Sequence, residues 1–387
     1  MDVFDASRFR LGTRSMKTFD VVIIGGGIAG NVAAVHLARA GWNVMLIEKK
    51  SYPFHRLCGE FLSPEMQRGL ADVGACEAIL AVGASSIRRV RLTEAGGAVF
   101  ESDLPGTALG VSRFRLDPIL ADRARAAGAA VRCGVTAREV HGDLAAGFDV
   151  MTSDGPIRAR CVVGAWGKRS SMDRKLGRSF FLKRSPFVAF KAHYEGGSLP
   201  GVIELHAFDG GYCGLSEVEG DRINVCWIAR SEALKSAGGN QDAMVENTFR
   251  QNPRLADRMA GMRRVPVTEC AVSQVSFSVR TPIEKDVCMI GDTAGTIAPL
   301  CGDGMAMAVH SAELASEHIC AFLAGSEVPE TFRRRYDQAW RRLFSRRISL
   351  GRNLHRGFVH PLGAATGLRI LSRAPGLGRW VIRNTRG

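Results

Sequence analysis

Two glycine-rich segments limit what this chain can fold into more than any other feature: Val21-Val-Ile-Ile-Gly25-Gly-Gly27-Ile-Ala-Gly30 near its start and Met289-Ile-Gly291-Asp292-Thr-Ala-Gly295 toward its end. In the first, four β-branched residues spell a buried strand, and the glycines permit a tight turn, close approach of backbone to a pyrophosphate and close packing of the helix that follows. The positive end of that helix then points at the phosphates. A second strand, Asn43-Val-Met-Leu-Ile47, ends at Glu48, where a carboxylate accepts hydrogen bonds from an adenosine ribose. A lone G-x-G-x-x-G is weak, but this one has its strand, its helix and its carboxylate, and with the second segment it predicts bound FAD.

At 387 residues the chain exceeds one typical core, so two intertwined domains are expected. No stretch reaches the roughly 18 uninterrupted apolar residues of a membrane-spanning helix. Residues 1–17 lack the apolar core of a signal peptide and read as a disordered lead, with Met16 as an alternative start to Met1. The 10 cysteines show no C-x-x-C and no His/Cys metal spacing, and Cys161, Cys226 and Cys288 sit in apolar runs, so reduced thiols in a cytoplasm and no metal site are expected. Of the net charge of +14, all but one unit falls after residue 330, where 14 arginines face the single acid Asp337. The body is thus nearly neutral and offers no basic groove for nucleic acid.

The coarse pattern alternates strand and helix to about residue 178 and again after 275. Between 180 and 280 it turns to long alternating strands, including a hairpin with arms Tyr212–Val218 and Arg222–Ile228. Such strands, with one face wet, imply a mainly antiparallel sheet. The fold class expected is α/β: a Rossmann-like FAD-binding domain (18–85, 108–178 and 275–330), an inserted antiparallel substrate sheet (86–107 and 179–274), and a basic amphipathic helical tail (331–387).

Four stretches in order, Gly25 to Glu48, Arg56-Leu-Cys58-Gly59-Glu60, Arg113 to Asp117, and Gly291 to Met305, resemble the flavoprotein superfamily of aromatic hydroxylases, flavin halogenases and geranylgeranyl reductases. The Cys58-Gly59-Glu60 and Pro299-Leu-Cys301-Gly-Asp-Gly304-Met305 variants are most similar to a bacterial branch that accompanies type III polyketide synthases. The resemblance implies an aromatic-hydroxylase-type fold with FAD held by Gly25, Gly27, Gly30, Glu48, Lys49, Arg56, Cys58, Gly59, Glu60, Arg113, Gly291, Asp292, Gly295, Pro299, Gly302, Gly304 and Met305. Glu48 takes the ribose, Arg56 and Arg113 the pyrophosphate and ribityl chain, and Asp292 a ribityl hydroxyl. The loop from Pro299 to Met305, leading into a helix, stabilises negative charge on the flavin ring.

The departures are equally informative. Hydroxylases reduced directly by nicotinamide carry Asp-Gly where this chain has Trp166-Gly167, so either NAD(P)H or a separate reductase is the electron source. The W-x-W-x-I-P of halogenases is absent, and the Y-x-W-x-F-P strand of geranylgeranyl reductases reads Tyr212-Cys-Gly-Leu-Ser-Glu217. The favoured expectation is a monooxygenase that hydroxylates a hydrophobic aromatic or polyketide-derived molecule using reduced flavin and O2. Reduction of isoprenoid double bonds is the alternative, and a non-catalytic flavin-binding membrane-surface protein a further one. Candidate catalytic groups are His193 and His206, with Tyr194, Tyr212 and Glu217 as hydrogen-bonding partners. Cys58 and Cys301 read as a redox pair, a flavin attachment point, or buried small apolar side chains. In the tail, Phe332, Tyr336, Trp340, Leu343 and Phe344 make one apolar helix face, and the arginines beyond point to an anionic membrane surface or an acidic carrier protein, with peripheral attachment inside the cell.

Overall fold

The computed structural model describes residues 17–386. The disordered lead and the choice between Met1 and Met16 lie outside the described residues, except that Lys17 already begins the first strand. An eight-stranded sheet has the order Ile283–Glu284, Val287–Met289, Gly155–Gly164, Lys17–Ile24, Val44–Glu48, Ala130–Cys133, with Ala137–Asp143 and Gly147–Thr152 alongside. Its central pairs are parallel. Val21 to Ile24 and Val44 to Ile47 are buried, as strands covered on both faces must be. The helix Ile28–Arg39 leaves the tip of the first strand. A Cβ on Gly30 would meet the Gly25 carbonyl oxygen at 1.9 Å, and Gly25 itself, at φ +115°, has Ala165 O 2.4 Å from where a Cβ would stand. Only glycine lets this helix start against this sheet.

The second sheet has nine strands and lies over the first unit's cofactor edge. Its order is Arg263–Arg264, Phe187–Glu195, Arg222–Arg230, Gly211–Val218, Val202–Phe208, Ser85–Thr93, Val99–Gly110, Phe61–Leu62, with Cys270–Ser273 on Phe187–Glu195. All pairs but one are antiparallel; Val202–Phe208 runs parallel to Ser85–Thr93. The predicted hairpin is present, pairing Tyr212 with Ile228 and Val218 with Arg222. The wet face is not. Phe190, Cys213, Val225 and Trp227 pack under Met244, Phe249 and Leu255 of two helices, Gln241–Phe249 and Pro253–Met259, that cover the outer side. Alternate residues Ala189, Tyr212 and Ile228 face inward.

The tail is part of this body. Pro329–Phe358 is one helix of 30 residues whose Phe332, Tyr336, Trp340, Phe344 and Ile348, each four apart, enter the core of the first sheet. Tyr336 donates its hydroxyl proton to Met289 O at 2.7 Å. Leu343, expected on this stripe, is instead 42% exposed because it lies to one side of the line through Trp340 and Phe344, about 100° around the helix from Phe344. Phe358, Val359, Ala364 and Leu368 continue the packing against Tyr212 and Ile228. Among the described residues no helix is long and apolar enough to cross a membrane.

Candidate functional site

A cavity of about 860 Å³ runs between the two sheets, from the N-terminus of the Ile28–Arg39 helix to the Pro299–Met305 loop. At its first end Glu48, nearly buried, accepts Gly26 N–H at 2.9 Å and Lys50 N–H at 3.1 Å, and pairs with Arg56 Nη2 at 2.9 Å. Tyr52 and Asn31 donate to the Gly26 carbonyl, fixing the glycine turn. The buried Asp117 holds both arginines: Arg56 Nε at 2.8 Å on one oxygen, Arg113 Nε at 2.7 Å on the other. This arrangement follows from the helix Arg113–Ala126, which Ser112 caps by accepting Arg115 N–H. Arg113 and Asp117 are then one turn apart on the same face.

These residues fit a dinucleotide. Arg113 Nη2 stands 3.6 Å from where a Cβ on Gly27 would be, so the glycine leaves a cradle with backbone on one side and a guanidinium on the other. Lys49, Arg56 and Arg113 line the cavity there, and Asp292, Gly291, Pro299, Gly302, Gly304 and Met305 line its far end, beside Cys58 and Gly59. Four of the expected cofactor residues play a supporting part outside the lining. Gly25 and Gly30 are needed for packing, Glu48 holds Arg56 and the turn, and Gly295 makes room for Trp340, whose ring carbon would lie 2.7 Å from an added Cβ. Lys168, which was not among the expected cofactor residues, lines the cavity with Nζ 3.3 Å from Asp292 Oδ2, and that carboxylate raises its pKa.

Glu60, which also borders the cavity, anchors its loop from behind. It is wholly buried, at φ 54°, with Lys191 Nζ 2.8 Å from Oε1 and His193 Nε2 2.6 Å from Oε2, and it accepts Arg113 N–H at 2.9 Å. Burial alone would raise its pKa, but the His193 hydrogen bond and the Lys191 charge outweigh that and hold it below the usual carboxylate range. Ser216 Oγ donates to Gly59 O at 3.1 Å and Asn224 Nδ2 to Cys58 O at 3.1 Å, so the roof sheet grips the whole Cys58-Gly59-Glu60 loop. His55, Glu60 and His193 could geometrically hold a metal ion. The Lys191 ammonium already supplies the positive charge at Glu60, and the cluster reads as an internal ion-pair network.

The catalytic candidates are dispersed rather than gathered. His193 is taken up by Glu60. His206 points to the outer side of its strand, where Nδ1 lies 2.7 Å from Thr93 Oγ1 and Nε2 3.2 Å from Glu204, itself held by Arg91 and Arg258 and with a pKa of about 2. There burial, which opposes ionisation, is overcome by hydrogen bonds from His206 and Arg258. Glu217 accepts the Leu199 amide, and Tyr194 lies in the outer core. Tyr212 alone lines the cavity, where its hydroxyl accepts Leu300 N–H at 3.0 Å and burial raises its pKa. The reason is the period of two: Tyr212, Gly214 and Ser216 present one side of their strand to the cavity while Cys213 and Leu215 pack into the outer core, and the sequence alone does not fix which side is which.

Cys58 and Cys301 are both free thiols. Cys301 is buried, and burial pushes its thiol up to about 12, as for an apolar filler. Cys58 lines the cavity, with Sγ 3.6 Å from Met305 Sδ and close enough to Arg113 to interact with it. Trp166 also lines the cavity, its Nε1 donating at 3.0 Å to Asp173, which pairs with the buried Arg178 at 2.9 Å.

Comparison with known proteins agrees with this geometry. Residues 18–347 match the FAD binding domain family. Menaquinone reductase of Mycobacterium tuberculosis is 28% identical over 317 residues, spanning 77% of this chain and 76% of its own length. Digeranylgeranylglycerophospholipid reductase 1 of Methanopyrus kandleri is 30% identical over 349 residues, spanning 84% and 87%. Among solved structures, the flavin-dependent brominase Bmp2 shares the fold with a TM-score of 0.82 at 20% identity, over 95% of this chain and 93% of its own.

Proposed function

Because the chain belongs to the FAD binding domain family, whose relatives here are oxidoreductases, we propose that it reduces a carbon–carbon double bond in a large apolar molecule of isoprenoid type. The observation that carries this reading is the apolar wall made by Ala189, Ile203, Leu205, Ile228 and Val275, which lines the same cavity as the Pro299–Met305 loop and whose ionisable neighbour, Tyr212, has its hydroxyl engaged by Leu300 N–H and its pKa raised by burial. Hydroxylation of a phenol profits from a base that takes the ring proton, and His193, His206 and Glu217 are all engaged elsewhere. Addition of hydrogen to an apolar double bond asks instead for water exclusion, position and one proton donor. FAD, when bound, supplies the hydride. Cys58, at the cavity surface beside Met305 and Arg113, is placed to give the proton. The names of the relatives support the reading, since both are reductases and one is named for a digeranylgeranyl lipid.

One feature sets the substrate class apart from a bare prenyl chain. Gly214 and Ser216 line the cavity at the two positions where the Y-x-W-x-F-P pattern places Trp and Phe. The lost bulk widens the chamber enough for a ring carrying the apolar chain. The same widening favours a second reading, hydroxylation of a hydrophobic aromatic or polyketide-derived ring by reduced flavin and O2.

Anaerobic mixing of the reduced holoprotein with a prenylated quinone or a geranylgeranyl lipid separates the two. A product that gains two hydrogens without oxygen supports reduction. Incorporation of one labelled oxygen atom on admission of isotopically labelled O2, with no hydrogenated product, replaces it by the second reading.

A further inference from the structure

The last two helices, Pro361–Arg373 and Pro375–Asn384, have inner sides that are fully used and outer sides that nothing covers. Inside, Ala364 and Leu368 join the core of Tyr212 and Ile228, Gly378 abuts Phe100, and Ile382 packs against the cluster of Phe61, Ile87, Val90, Leu104 and Ala108. Outside stand Leu362, Ile370, Leu377 and Trp380, 42 to 74% exposed, four of the ten large apolar side chains exposed among the described residues. Arg369, Arg373, Arg379 and Arg383 are exposed between them. Among the described residues none of these four forms an ion pair, and the sequence has no acid after Asp337 that could supply one locally.

We propose that this face docks onto an anionic lipid surface. Apolar side chains and unpaired arginines sharing one outward face, with a tryptophan among them, match an interfacial helix pair: the apolar groups enter the headgroup boundary while the guanidiniums meet lipid phosphates. An acidic protein would answer the charge but leave the apolar members without a role. The position gives the docking a purpose. The cluster that Ile382 joins contains Phe61, which lines the cavity, and Arg386, just beyond the second helix, lies over the Phe61 ring and donates from Nε to Cys301 O at 3.4 Å. The lipid-facing surface is therefore one helix thickness, about 10 Å, from the cavity. On the proposed reading of an apolar substrate, on which this last step rests, the substrate passes between leaflet and cavity beside these helices.

Cutting the chain near residue 349 would not test this, because Phe358, Val359, Ala364 and Leu368 belong to the core. The test uses the full-length, FAD-loaded protein with vesicles of phosphatidylcholine alone or of equal parts phosphatidylcholine and phosphatidylglycerol. The wild type should sediment with the mixed vesicles, less so at high salt, and not with phosphatidylcholine alone. Arg369→Gln, Arg373→Gln, Arg379→Gln and Arg383→Gln together should weaken partitioning on the order of 100-fold or more, with FAD content and unfolding midpoint unchanged. Bromine-labelled acyl chains should quench wild-type tryptophan fluorescence, and Trp380→Phe should remove that quenching. The quenching needs no arginine variant, so it decides even where the fourfold variant fails to fold. Absent quenching, or equal vesicle binding by a folded fourfold variant, overturns the proposal. Tight capture of poly-glutamate without vesicle binding also overturns it and assigns the arginines to an acidic protein. None of these readouts uses turnover, so they stand or fall separately from the reaction assigned above.

Discussion

Lys191 Nζ lies 2.8 Å from Glu60 Oε1, and neither side chain reaches solvent. The pair joins the roof sheet to the loop that carries Cys58, and its charges are satisfied by each other, by His193, by the Arg113 amide and by His55, whose Nδ1 lies 3.4 Å from Lys191 Nζ. Removing one member of such a pair leaves the other buried and uncompensated. Lys191→Met should therefore lower stability by roughly 3–5 kcal/mol, read by denaturant unfolding. Lys191→Met with Glu60→Gln should cost clearly less than the single change. A double variant as unstable as the sum of the two singles would mean that the pair is not coupled.

The two critical glycines should fail in different ways. At Gly27 an added Cβ meets only Arg113 Nη2 at 3.6 Å, so the folded chain tolerates it and the loss falls on the cofactor. At Gly30 the Cβ would lie 1.9 Å from Gly25 O, so the sheet and helix must separate. Gly27→Val should give folded, colourless protein with unchanged far-ultraviolet circular dichroism, and Gly30→Val should give little folded protein at all. Full FAD occupancy in Gly27→Val would remove Gly27 from the pyrophosphate site.

What the sequence disclosed and what it hid divide along a physical line. The strand, turn and helix around Gly25 to Gly30 are local consequences of residue type, and Asp117 with Arg113 is a local i, i+4 pair, so both regions were legible. The facing of His206 and Glu217 depends on sheet register across more than a hundred residues, and a slip of one reverses it. Lys191 gave no signal, because a lysine in an alternating strand reads as solvated until Glu60 is known to lie opposite it. The tail's Phe332 to Ile348 stripe was visible as amphipathic, but only the packing against Met289 and Gly295 says which surface it meets.

Trp166 stands where directly reduced hydroxylases carry the Asp of Asp-Gly, and its indole is fixed in the cavity wall by Asp173 and Arg178. Approach of a nicotinamide along that wall is expected to be poor. Anaerobic NADPH or NADH should reduce the bound flavin slowly, whereas a reductase that passes electrons or reduced flavin should support turnover. Rapid stoichiometric bleaching by NADPH alone would show that this wall does not control access.

Asp303 gives the last prediction. It belongs to the Pro299–Met305 loop but turns away from the cavity, fully buried, with neither carboxylate oxygen hydrogen-bonded and Arg347 Nη1 at 3.6 Å. Burial pushes its pKa up to about 7 against the opposing charges of Arg347 and Arg386, with Glu65 adding to the rise. An unfolded aspartate titrates near 3.9, so between about pH 4 and 7 the folded chain keeps a proton that the unfolded chain has lost. The contribution to stability is thus fully present below pH 4 and is lost as pH rises through that window, by a few kcal/mol at most on an order-of-magnitude basis. Wild-type protein should lose more stability between pH 5 and pH 8 than Asp303→Asn, which cannot ionise there. Melting midpoints measured across that range check it, and parallel curves for the two proteins would place the Asp303 titration outside the window.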